Sequence, residues 1–326
     1  MAKKAFITGI TGQDGSFLAE FLLKKGYEVH GLIRRKSVEN YDNLQAVLPN
    51  IVLVEGDLTD QISLNKAVKK IVPDEVYNLG ALSFVGTSWT QPVQMTETTG
   101  IGVLRLLEAV KEYSPKAKFY QASSSEIFGN THIVPQDENT PFRPISPYAI
   151  AKLYAYWMTV NYREAYGMYC SNGILFNHES ERRGFEFVTR KITDGVARIK
   201  HGLLKEIRIG NLEAKRDWGY APEYVEGMWM MLQHKDPDDF VLGTGETHSV
   251  REFVEEAFKL AGIDNYERYI VIDKKYLRPA EVPHLIANTE KAQRVLGWKA
   301  TTRFKQLVKK MMDYDLKRIK SLKNSA

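Results

Sequence analysis

The sequence contains a single cysteine and no long hydrophobic run, and both shortages restrict what the protein can be. Cys170 has no second cysteine with which to form an intramolecular disulfide, which is typical of a protein kept in the reducing cytoplasm. With only 7 scattered histidines in addition, a structural zinc site is not expected. The apolar runs fall well short of the roughly 18 residues of a membrane span. Because the first strand-like run starts almost at Met1, we expect no signal or transit peptide.

The positive charge is not concentrated enough to predict a nucleic-acid-binding protein. The net charge is +5 over 326 residues, and Lys and Arg are spread along the chain. Nucleic-acid binders usually gather such charge on one face. The only dense basic stretch runs from Lys305 to Lys323, where apolar residues recur near helical spacing. We interpret it as an amphipathic C-terminal helix with a solvated basic face, the alternative being a nucleic-acid-binding arm.

The first half of the chain alternates strand-like and helix-like segments. This alternation predicts an α/β fold with a Rossmann-like, doubly wound parallel sheet. After Phe176 the pattern loosens, which predicts a smaller mixed α/β C-terminal lobe against the carboxyl edge of the sheet, where ligands of such folds bind. We expect a cofactor-binding domain over residues 1–176, to which residues about 211–245 return, and a substrate lobe over residues 177–326. The predicted strands are 5–10, 28–33, 51–55, 75–79, 118–122 and 170–176, and the predicted helices are 16–25, 62–71, 93–113 and 147–166.

Three glycines follow the first predicted strand in the segment GITGQDG. Gly9 permits a tight turn, Gly12 lets the backbone approach a pyrophosphate, and Gly15 lets helix and strand pack closely. The helix that follows then presents N–H groups to phosphates. Glycine-rich turns are common, so the cofactor interpretation depends on their place at the first strand–helix junction. The predicted cofactor-binding residues of this turn are Gly9, Thr11, Gly12, Gln13, Asp14 and Gly15.

The end of the second predicted strand indicates which dinucleotide binds. NAD enzymes usually place an acidic residue there, whereas NADP enzymes tend to place arginine. This strand ends in Arg34 and Arg35 with no acid, which favours NADP. The alternative is a solvated turn of positive charges. Further cofactor contacts are predicted after the third and fourth strands, at Asp57, Leu58, Leu79, Gly80 and Ala81.

Tyr148 and Lys152 are candidate catalytic residues at the start of a long predicted helix. Ser146 is a good N-cap, Pro147 suits the first helical position, and a spacing of four places the tyrosine and lysine on one helix face. With a positive helix end, an ammonium and an oxidised nicotinamide nearby, we expect the pKa of Tyr148 to be lowered. A phenolate is a suitable base for a sugar hydroxyl. Tyr-x-x-x-Lys is common by chance, but here it follows a strand that ends in Ser-Ser-Ser-Glu.

Glu126 separates the candidate reactions. Oxidation of a sugar at C4 needs no carboxylate, whereas loss of water across C5–C6 needs a base for the C5 proton and an acid for the departing C6 hydroxyl. A carboxylate beside the hydroxyl-rich strand end, which includes Ser124, could make both proton transfers. The alternative is that Glu126 only caps a turn or pairs with a lysine.

Several longer segments are more specific than these patterns, above all NGILFNHESERRG at residues 172–184. The others are residues 9–15, 73–80, 119–126, 146–166, 188–193, 216–219 and 278–282. With them the chain resembles, nearly from end to end, the extended short-chain dehydrogenase/reductase family and, within it, the GDP-mannose 4,6-dehydratase branch. The segment at 172–184 favours GDP-mannose over dTDP-glucose as the substrate.

The resemblance implies conversion of GDP-mannose to GDP-4-keto-6-deoxy-mannose, with hydride passing from C4 to C6 through bound NADP and loss of water. Tyr148 would take the proton of the C4 hydroxyl, and Glu126 would remove the C5 proton. Glu126 or Ser124 would assist departure of the C6 hydroxyl, while Lys152 would orient the ribose and the tyrosine. The resemblance also implies cofactor contacts at Ser83, His178 and Arg183, and GDP-sugar contacts at Ser88, Asn177, Val188, Lys191, Arg216, Arg278 and Glu281.

The chain departs from the usual family pattern in several places. Members usually have a longer segment after Arg35, in part of a contact between dimers, so we expect a homodimer or a homotetramer. Ser124 replaces a usual threonine, Phe84 replaces a usual histidine, and the C-terminal lobe is shorter. Neither a membrane nor a nucleic acid is expected as a partner. The alternatives are a 4-reductase of GDP-4-keto-6-deoxy-mannose, another nucleotide-sugar epimerase or dehydratase, and an NADP-binding scaffold without catalysis.

Overall fold

The computed structural model describes residues 2–35, 40–277, 279–282 and 284–325. Strands and helices alternate along the first half of the chain, as the sequence predicts. The strands are β1 (Lys4–Thr8), β2 (Glu28–Ile33), β3 (Val52–Glu55), β4 (Glu75–Asn78), β5 (Lys118–Ala122), β6 (Cys170–Leu175), β7 (Asn177–Glu179), β8 (Ile207–Ile209), β9 (Lys215–Arg216), β10 (Trp218–Tyr220), β11 (Phe240–Leu242), β12 (His248–Ser249) and β13 (Ile270–Ile272). The helices are α1 (Gln13–Lys24), α2 (Gln61–Ile71), α3 (Val85–Ser88), α4 (Pro92–Met95), α5 (Gly102–Tyr113), α6 (Pro147–Tyr166), α7 (Val188–Lys200), α8 (Ala221–Gln233), α9 (Val250–Leu260), α10 (Glu290–Leu296) and α11 (Phe304–Ser325).

The main sheet confirms the predicted doubly wound architecture. Its strands run in the order β11-β6-β5-β4-β1-β2-β3, and every neighbouring pair is parallel. Apolar side chains of α1 and α8 pack in one buried cluster, and those of α2, α5 and α6 pack in another. Strands covered in this way are buried and apolar almost throughout, as β1 (KAFIT) shows. The carboxyl ends of the central strands therefore meet at one edge of the sheet.

A smaller lobe is built around α7, α9 and α11, which share a third apolar cluster with β8. The sequence between β6 and β11 leaves the sheet for this lobe and then returns, because α8 packs on α1 and β11 pairs with β6. The predicted amphipathic C-terminal helix is confirmed as α11, which buries Leu307, Met311 and Ile319. Among the residues that the structure describes, no helix is long and apolar enough to cross a membrane.

The predicted helix over residues 93–113 is wrong in its middle. A π-helical segment, Thr96–Ile101, separates α4 from α5. Neighbouring residues of this segment make different contacts. Thr98 lines the central cavity, while Thr99 Oγ1 accepts a hydrogen bond from the Leu82 backbone N–H at 3.1 Å. Such π turns are frequent at functional sites.

Capping residues explain why α6 has the bounds that the sequence predicts. Ser146 Oγ accepts a hydrogen bond from the Ala149 N–H at 3.1 Å, and Pro147 occupies the first helical position. The helix ends at Gly167, which has a φ of +64°. Because the start of α6 is fixed in this way, Tyr148 lies at the carboxyl edge of the sheet.

Candidate active site

A cavity of about 470 Å³ lies at the carboxyl ends of β1, β4, β5 and β6. The smaller lobe closes it through residues 177–187, which follow β6. This is the place where doubly wound folds bind their ligands.

The glycine turn forms one wall of the cavity. Gly9 has a φ of +70°, and a Cβ there would lie only 2.9 Å from Gly80 N. A Cβ on Gly15 would lie 2.3 Å from Gly9 O, so the close helix–strand packing expected of Gly15 is present. Gly12 begins α1, and within the described residues no side chain caps this helix start. The N-terminus of α1 therefore presents backbone N–H groups and a partial positive charge to the cavity.

Tyr148 and Lys152 lie in the cavity wall and are both buried. Lys152 Nζ donates a hydrogen bond to Ala122 O at 2.7 Å. Burial lowers the pKa of Lys152 to about 8. Burial also raises the pKa of Tyr148 to about 12; a hydrogen bond to Ser124 opposes this shift, and the charge of Glu126 adds to it.

In the chain without a nicotinamide the pKa of Tyr148 is raised, so the lowering expected beside an oxidised nicotinamide stays a prediction. Loss of solvent around the phenol outweighs the hydrogen bond to Ser124 and the charge of the Arg183 guanidinium. A bound oxidised nicotinamide would add a positive charge here and favour the phenolate.

Glu126 and Ser124 follow the end of β5, close enough to Tyr148 to affect its pKa, and both line the cavity. Ser124 Oγ accepts a hydrogen bond from the Glu126 N–H at 3.3 Å and so caps the short 3₁₀ turn Ser125–Ile127. The Glu126 residue is only 7% exposed.

Segments from the smaller lobe complete the wall near α1. His178 Nε2 lies 2.8 Å from Asp14 Oδ2. Arg183 pairs with Glu179 at 3.1 Å, and its guanidinium stacks 3.7 Å from the centre of the Phe187 ring. Phe187 in turn meets Phe84 edge to face, at 5.7 Å between ring centres. The residue that departs from the family pattern, Phe84, therefore contacts the lobe across the cavity.

Most of the predicted site residues lie around this one cavity. The lining includes Gly9, Thr11, Gly12, Gln13, Asp14, Gly15, Arg34, Asp57, Leu58, Leu79, Gly80, Ala81, Ser83, Ser124, Glu126, Tyr148, Lys152, Asn177, His178 and Arg183.

Other predicted residues lie outside the lining. Ser88 is fully buried, and its hydroxyl donates to Val85 O at 2.7 Å. Lys191 Nζ lies 3.2 Å from the centre of the Tyr276 ring, and Arg216 pairs with Glu281. Arg35 and Val188 are also outside the lining, and Arg278 lies outside the described residues.

The cavity also contains residues that the sequence analysis did not single out. Thr98 lines it from the π-helical segment, which no periodicity in the sequence indicates. Arg182, Glu186 and Phe187 belong to the loop before α7. The Arg-Arg-Gly sequence could have indicated Arg182 as a site residue together with Arg183. Asn43 also lines the cavity, but it lies in a segment without a recognisable motif.

The groups gathered here can perform acid–base chemistry on a hydroxylated substrate, and a bound dinucleotide would have to supply any redox step. A phenol and an ammonium stand near one strand end, and a carboxylate and a hydroxyl stand beside them. The positive end of α1 supplies a place for phosphates. Proton transfer and phosphate binding at one place therefore depend on several groups of the wall together.

Comparison with known proteins gives one consistent family. A family model described as GDP-mannose 4,6 dehydratase matches residues 6–311. GDP-mannose 4,6 dehydratase 1 of Arabidopsis thaliana is 52% identical over 326 residues, covering 96% of this chain and 90% of that protein. GDP-mannose 4,6 dehydratase of Homo sapiens is 49% identical over 347 residues, covering 98% of this chain and 93% of that protein.

Solved structures share the fold. The UDP-glucose 4-epimerase of Thermotoga maritima, solved with UDP-glucose, superposes with a TM-score of 0.86 at 25% identity and covers 97% of this chain and 99% of its own. A dTDP-glucose 4,6-dehydratase of Bacillus anthracis in complex with NAD gives 0.85 at 21% identity, over 98% of each chain. RMD from Pseudomonas aeruginosa complexed with NADPH gives 0.81 at 22% identity, over 97% of this chain and 100% of its own.

Proposed function

Because the chain belongs to the GDP-mannose 4,6-dehydratase family, we propose that it converts GDP-mannose to GDP-4-keto-6-deoxy-mannose by losing one water. The enzyme is accordingly a hydro-lyase. The observation that carries the proposal is the presence of Glu126 in the same cavity as Tyr148, Lys152 and the glycine turn. A simple oxidation would need the last three but not the carboxylate.

The cavity fits a nicotinamide dinucleotide. The glycine turn leaves no room for a side chain at Gly9 or Gly15, so backbone rather than side chains faces the place for a pyrophosphate. Ser123 supplies a second indication, because its hydroxyl is buried in the cavity wall and has no hydrogen-bond partner within the described part of the chain. Buried polar groups are normally paired, so this hydroxyl suits a polar group of a bound molecule.

We propose NADP rather than NAD as the cofactor. Arg34 lies in the cavity lining at the end of β2, where it suits a 2′-phosphate, and Arg35 follows it in the chain. Replacing Arg34 with alanine should weaken binding of NADP⁺ by about 10-fold, the usual scale for a lost charge-assisted contact, and leave binding of NAD⁺ nearly unchanged. Equal weakening for both dinucleotides in a binding titration would contradict NADP preference.

The chain's own groups divide the work of the reaction. When bound, the dinucleotide supplies reversible two-electron chemistry, oxidising C4 of the hexose and returning the electrons at C6. Tyr148 takes the proton of the C4 hydroxyl, and Lys152 holds the ribose and the phenol in place. The C4 ketone makes the C5 proton acidic, and Glu126 removes it. Glu126 or Ser124 then supplies the proton with which the C6 hydroxyl leaves as water.

Substrate binding is assigned to the lobe side of the cavity. We propose that Asn177 faces the nucleotide sugar from the cavity wall, while Arg183 lies beside the cofactor. Lys191, Arg216, Arg278 and Glu281 remain proposed contacts to the GDP part, with cations suited to a diphosphate. We also propose that residues 1–176 mainly hold the cofactor and residues 177–326 mainly hold the GDP-sugar.

The cellular setting and assembly are proposed on separate grounds. The single cysteine, Cys170, is buried, as suits a protein of the reducing cytoplasm. A homodimer, or a homotetramer built from it, is proposed because α6 exposes large apolar side chains. Neither a membrane nor a nucleic acid is proposed as a partner.

The deciding experiment is incubation of the purified protein with GDP-mannose and catalytic NADP⁺, followed by mass spectrometry of the nucleotide sugar. We expect the product to be lighter by one water, with no net accumulation of NADPH. The 4-reductase is the second candidate, since it would share Tyr148, Lys152 and the glycine turn. An unchanged mass, together with NADPH consumption when GDP-4-keto-6-deoxy-mannose is supplied, would favour the reductase and remove Glu126 from its proposed role.

A further inference from the structure

The first turn of α1 contains a carboxylate at a place that should attract anions. Backbone N–H groups and the helix dipole make this end of the helix a phosphate site. Asp14 lies within that turn, lines the cavity and carries a negative charge that would oppose a phosphate. The proposed catalytic steps make no use of this acid.

His178 approaches Asp14 in a geometry that fixes its protonation. Its Nε2 lies 2.8 Å from Asp14 Oδ2, and its Nδ1 lies 2.8 Å from Phe176 O. A backbone carbonyl can only accept a hydrogen bond, so Nδ1 must carry a proton. The carboxylate also accepts a hydrogen bond from Gln13 Nε2, at 2.9 Å, which favours its ionised, acceptor-only form. Nε2 must then carry a proton as well, and the ring is an imidazolium.

The surroundings of the pair agree with this assignment. Burial by itself would lower the pKa of His178, but the Asp14 carboxylate raises it above its ordinary value. The nearby Arg183 guanidinium acts in the opposite direction on His178 and lowers the pKa of Asp14. The Tyr224 ring stacks on the imidazole at 4.7 Å between centres, which fixes the plane of the ring.

We infer that His178 is a positioning residue that neutralises Asp14, so that the phosphate-binding turn of α1 presents no net side-chain charge to an anionic cofactor. The inference rests on the proposed function, because it concerns the same dinucleotide site. It also explains why the acid is present: the pair ties α1 to the lobe segment after β6. Gln13 Nε2 reinforces the tie by donating to His178 O at 3.1 Å, and Ser180 Oγ donates to Gln13 Oε1 at 2.7 Å.

The test is a double-mutant cycle read out by the affinity for NADP⁺ in the absence of sugar. His178→Gln leaves Asp14 as an uncompensated anion and should weaken NADP⁺ binding by about 10-fold or more. Asp14→Asn combined with His178→Gln removes both charges and should recover most of that loss. If the double variant binds NADP⁺ as weakly as His178→Gln, or more weakly, charge compensation is wrong and the two residues act only as a structural tie.

A matched control and a second measurement keep the test decisive. His30, on β2, makes a similar pair with Glu28 at 2.7 Å but lies outside the cavity, so His30→Gln should leave NADP⁺ affinity unchanged.

The second measurement uses only the wild-type protein, so it does not depend on whether the variants fold. Nitrogen-15 spectra of histidine-labelled protein should show both ring nitrogens of His178 protonated at pH 7. A single protonated nitrogen would overturn the inference. Absence of NADP⁺ binding by the wild type, with both nitrogens protonated, would instead overturn the proposed cofactor.

Discussion

Burial shifts the pKa values of two residues in this cavity, Tyr148 and Lys152, toward their uncharged forms. With a pKa near 12, Tyr148 keeps its proton at neutral pH in the protein alone, while Lys152, with a pKa near 8, is close to losing its own. Both shifts come mainly from burial, which disfavours the charged form of each group. A bound, positively charged nicotinamide would favour phenolate over phenol, so the base would form only where it is needed.

Glu126→Gln should separate the oxidation at C4 from the loss of water. Glutamine keeps the shape of the side chain but cannot exchange a proton, so we expect GDP-mannose to bind normally while turnover falls by at least ~100-fold. Substrate affinity from titration and product formation from mass spectrometry give the two quantities.

Oxidation at C4 does not need the carboxylate, so a burst of 340 nm absorbance with stoichiometric NADP⁺ should persist in Glu126→Gln. Near-wild-type turnover of this variant would rule out the acid–base role. Loss of the burst together with turnover would show that Glu126 serves binding or folding instead.

Lys152→Met should make the cofactor-free protein more stable at pH 7. The folded state lowers the pKa of Lys152 from its ordinary value of about 10.5 to about 8, so the ammonium costs stability. The cost is fully present below pH 8 and disappears as the pH rises toward about 10.5. We expect a gain of roughly 1–3 kcal/mol in urea unfolding at pH 7, shrinking at higher pH.

The loss of the lysine's own hydrogen bond is tolerable, because Gln121 Nε2 still donates to Ala122 O at 2.9 Å. Lys4→Met is the control. It removes a similar ammonium-to-carbonyl contact, to Ile71 O at 3.2 Å, at a partly exposed site and should give no gain. A less stable Lys152→Met protein at pH 7 would contradict the pKa argument.

Individual elements differ in how far the sequence predicts them. The bounds of β2, β5 and α6 match the prediction, because short, largely buried runs mark the two strands and explicit caps mark the helix. Parallel topology then brings the strand ends together, which is why Glu126 and the glycine turn share one cavity. The π-helical segment Thr96–Ile101 was missed, since its apolar spacing is compatible with an ordinary helix. The contacts of the loop before α7 depend on tertiary packing, which no local pattern encodes.

The C-terminal helix should matter for substrate affinity through a buried ion pair. Asp315, on α11, is fully buried and accepts hydrogen bonds from Arg190 Nε and Nη2, both at 2.9 Å. Arg190 also holds the carbonyl groups of Glu181 and Arg183. Asp315→Asn should reduce the free energy of unfolding by about 3–5 kcal/mol, because it leaves a buried cation unpaired. It should also raise KM for GDP-mannose more than it lowers kcat.

A neighbouring acid on the same helix gives the comparison for this change. Asp313 pairs with Lys309 at an exposed site, so Asp313→Asn should change stability by no more than about 0.5 kcal/mol. Equal unfolding free energies for the two variants in urea would show that the buried pair does not support the lobe.

At the scale of the whole molecule, α6 exposes an apolar stripe that suits contact with a second copy. Ile150, Tyr154 and Trp157 recur at helical spacing and are 58%, 39% and 53% exposed. Trp157→Glu should therefore shift the protein from dimer to monomer in size-exclusion chromatography with light scattering. Tyr166→Glu, at an exposed position on another face of the same helix, should keep the dimer. A monomeric wild type would contradict the proposed assembly.

The path of the chain between sheet and lobe limits how the two parts can be exchanged with relatives. After β6 the chain enters the lobe, returns for α8 and β11, leaves again for α9, returns for α10 and ends in the lobe with α11. A chimaera with one junction after Phe176 would exchange β11, an edge strand of the sheet, and α8 along with the lobe. Grafting a lobe with a different sugar preference therefore requires several matched junctions. Evolution of new specificity in this architecture should favour substitutions in place over recombination.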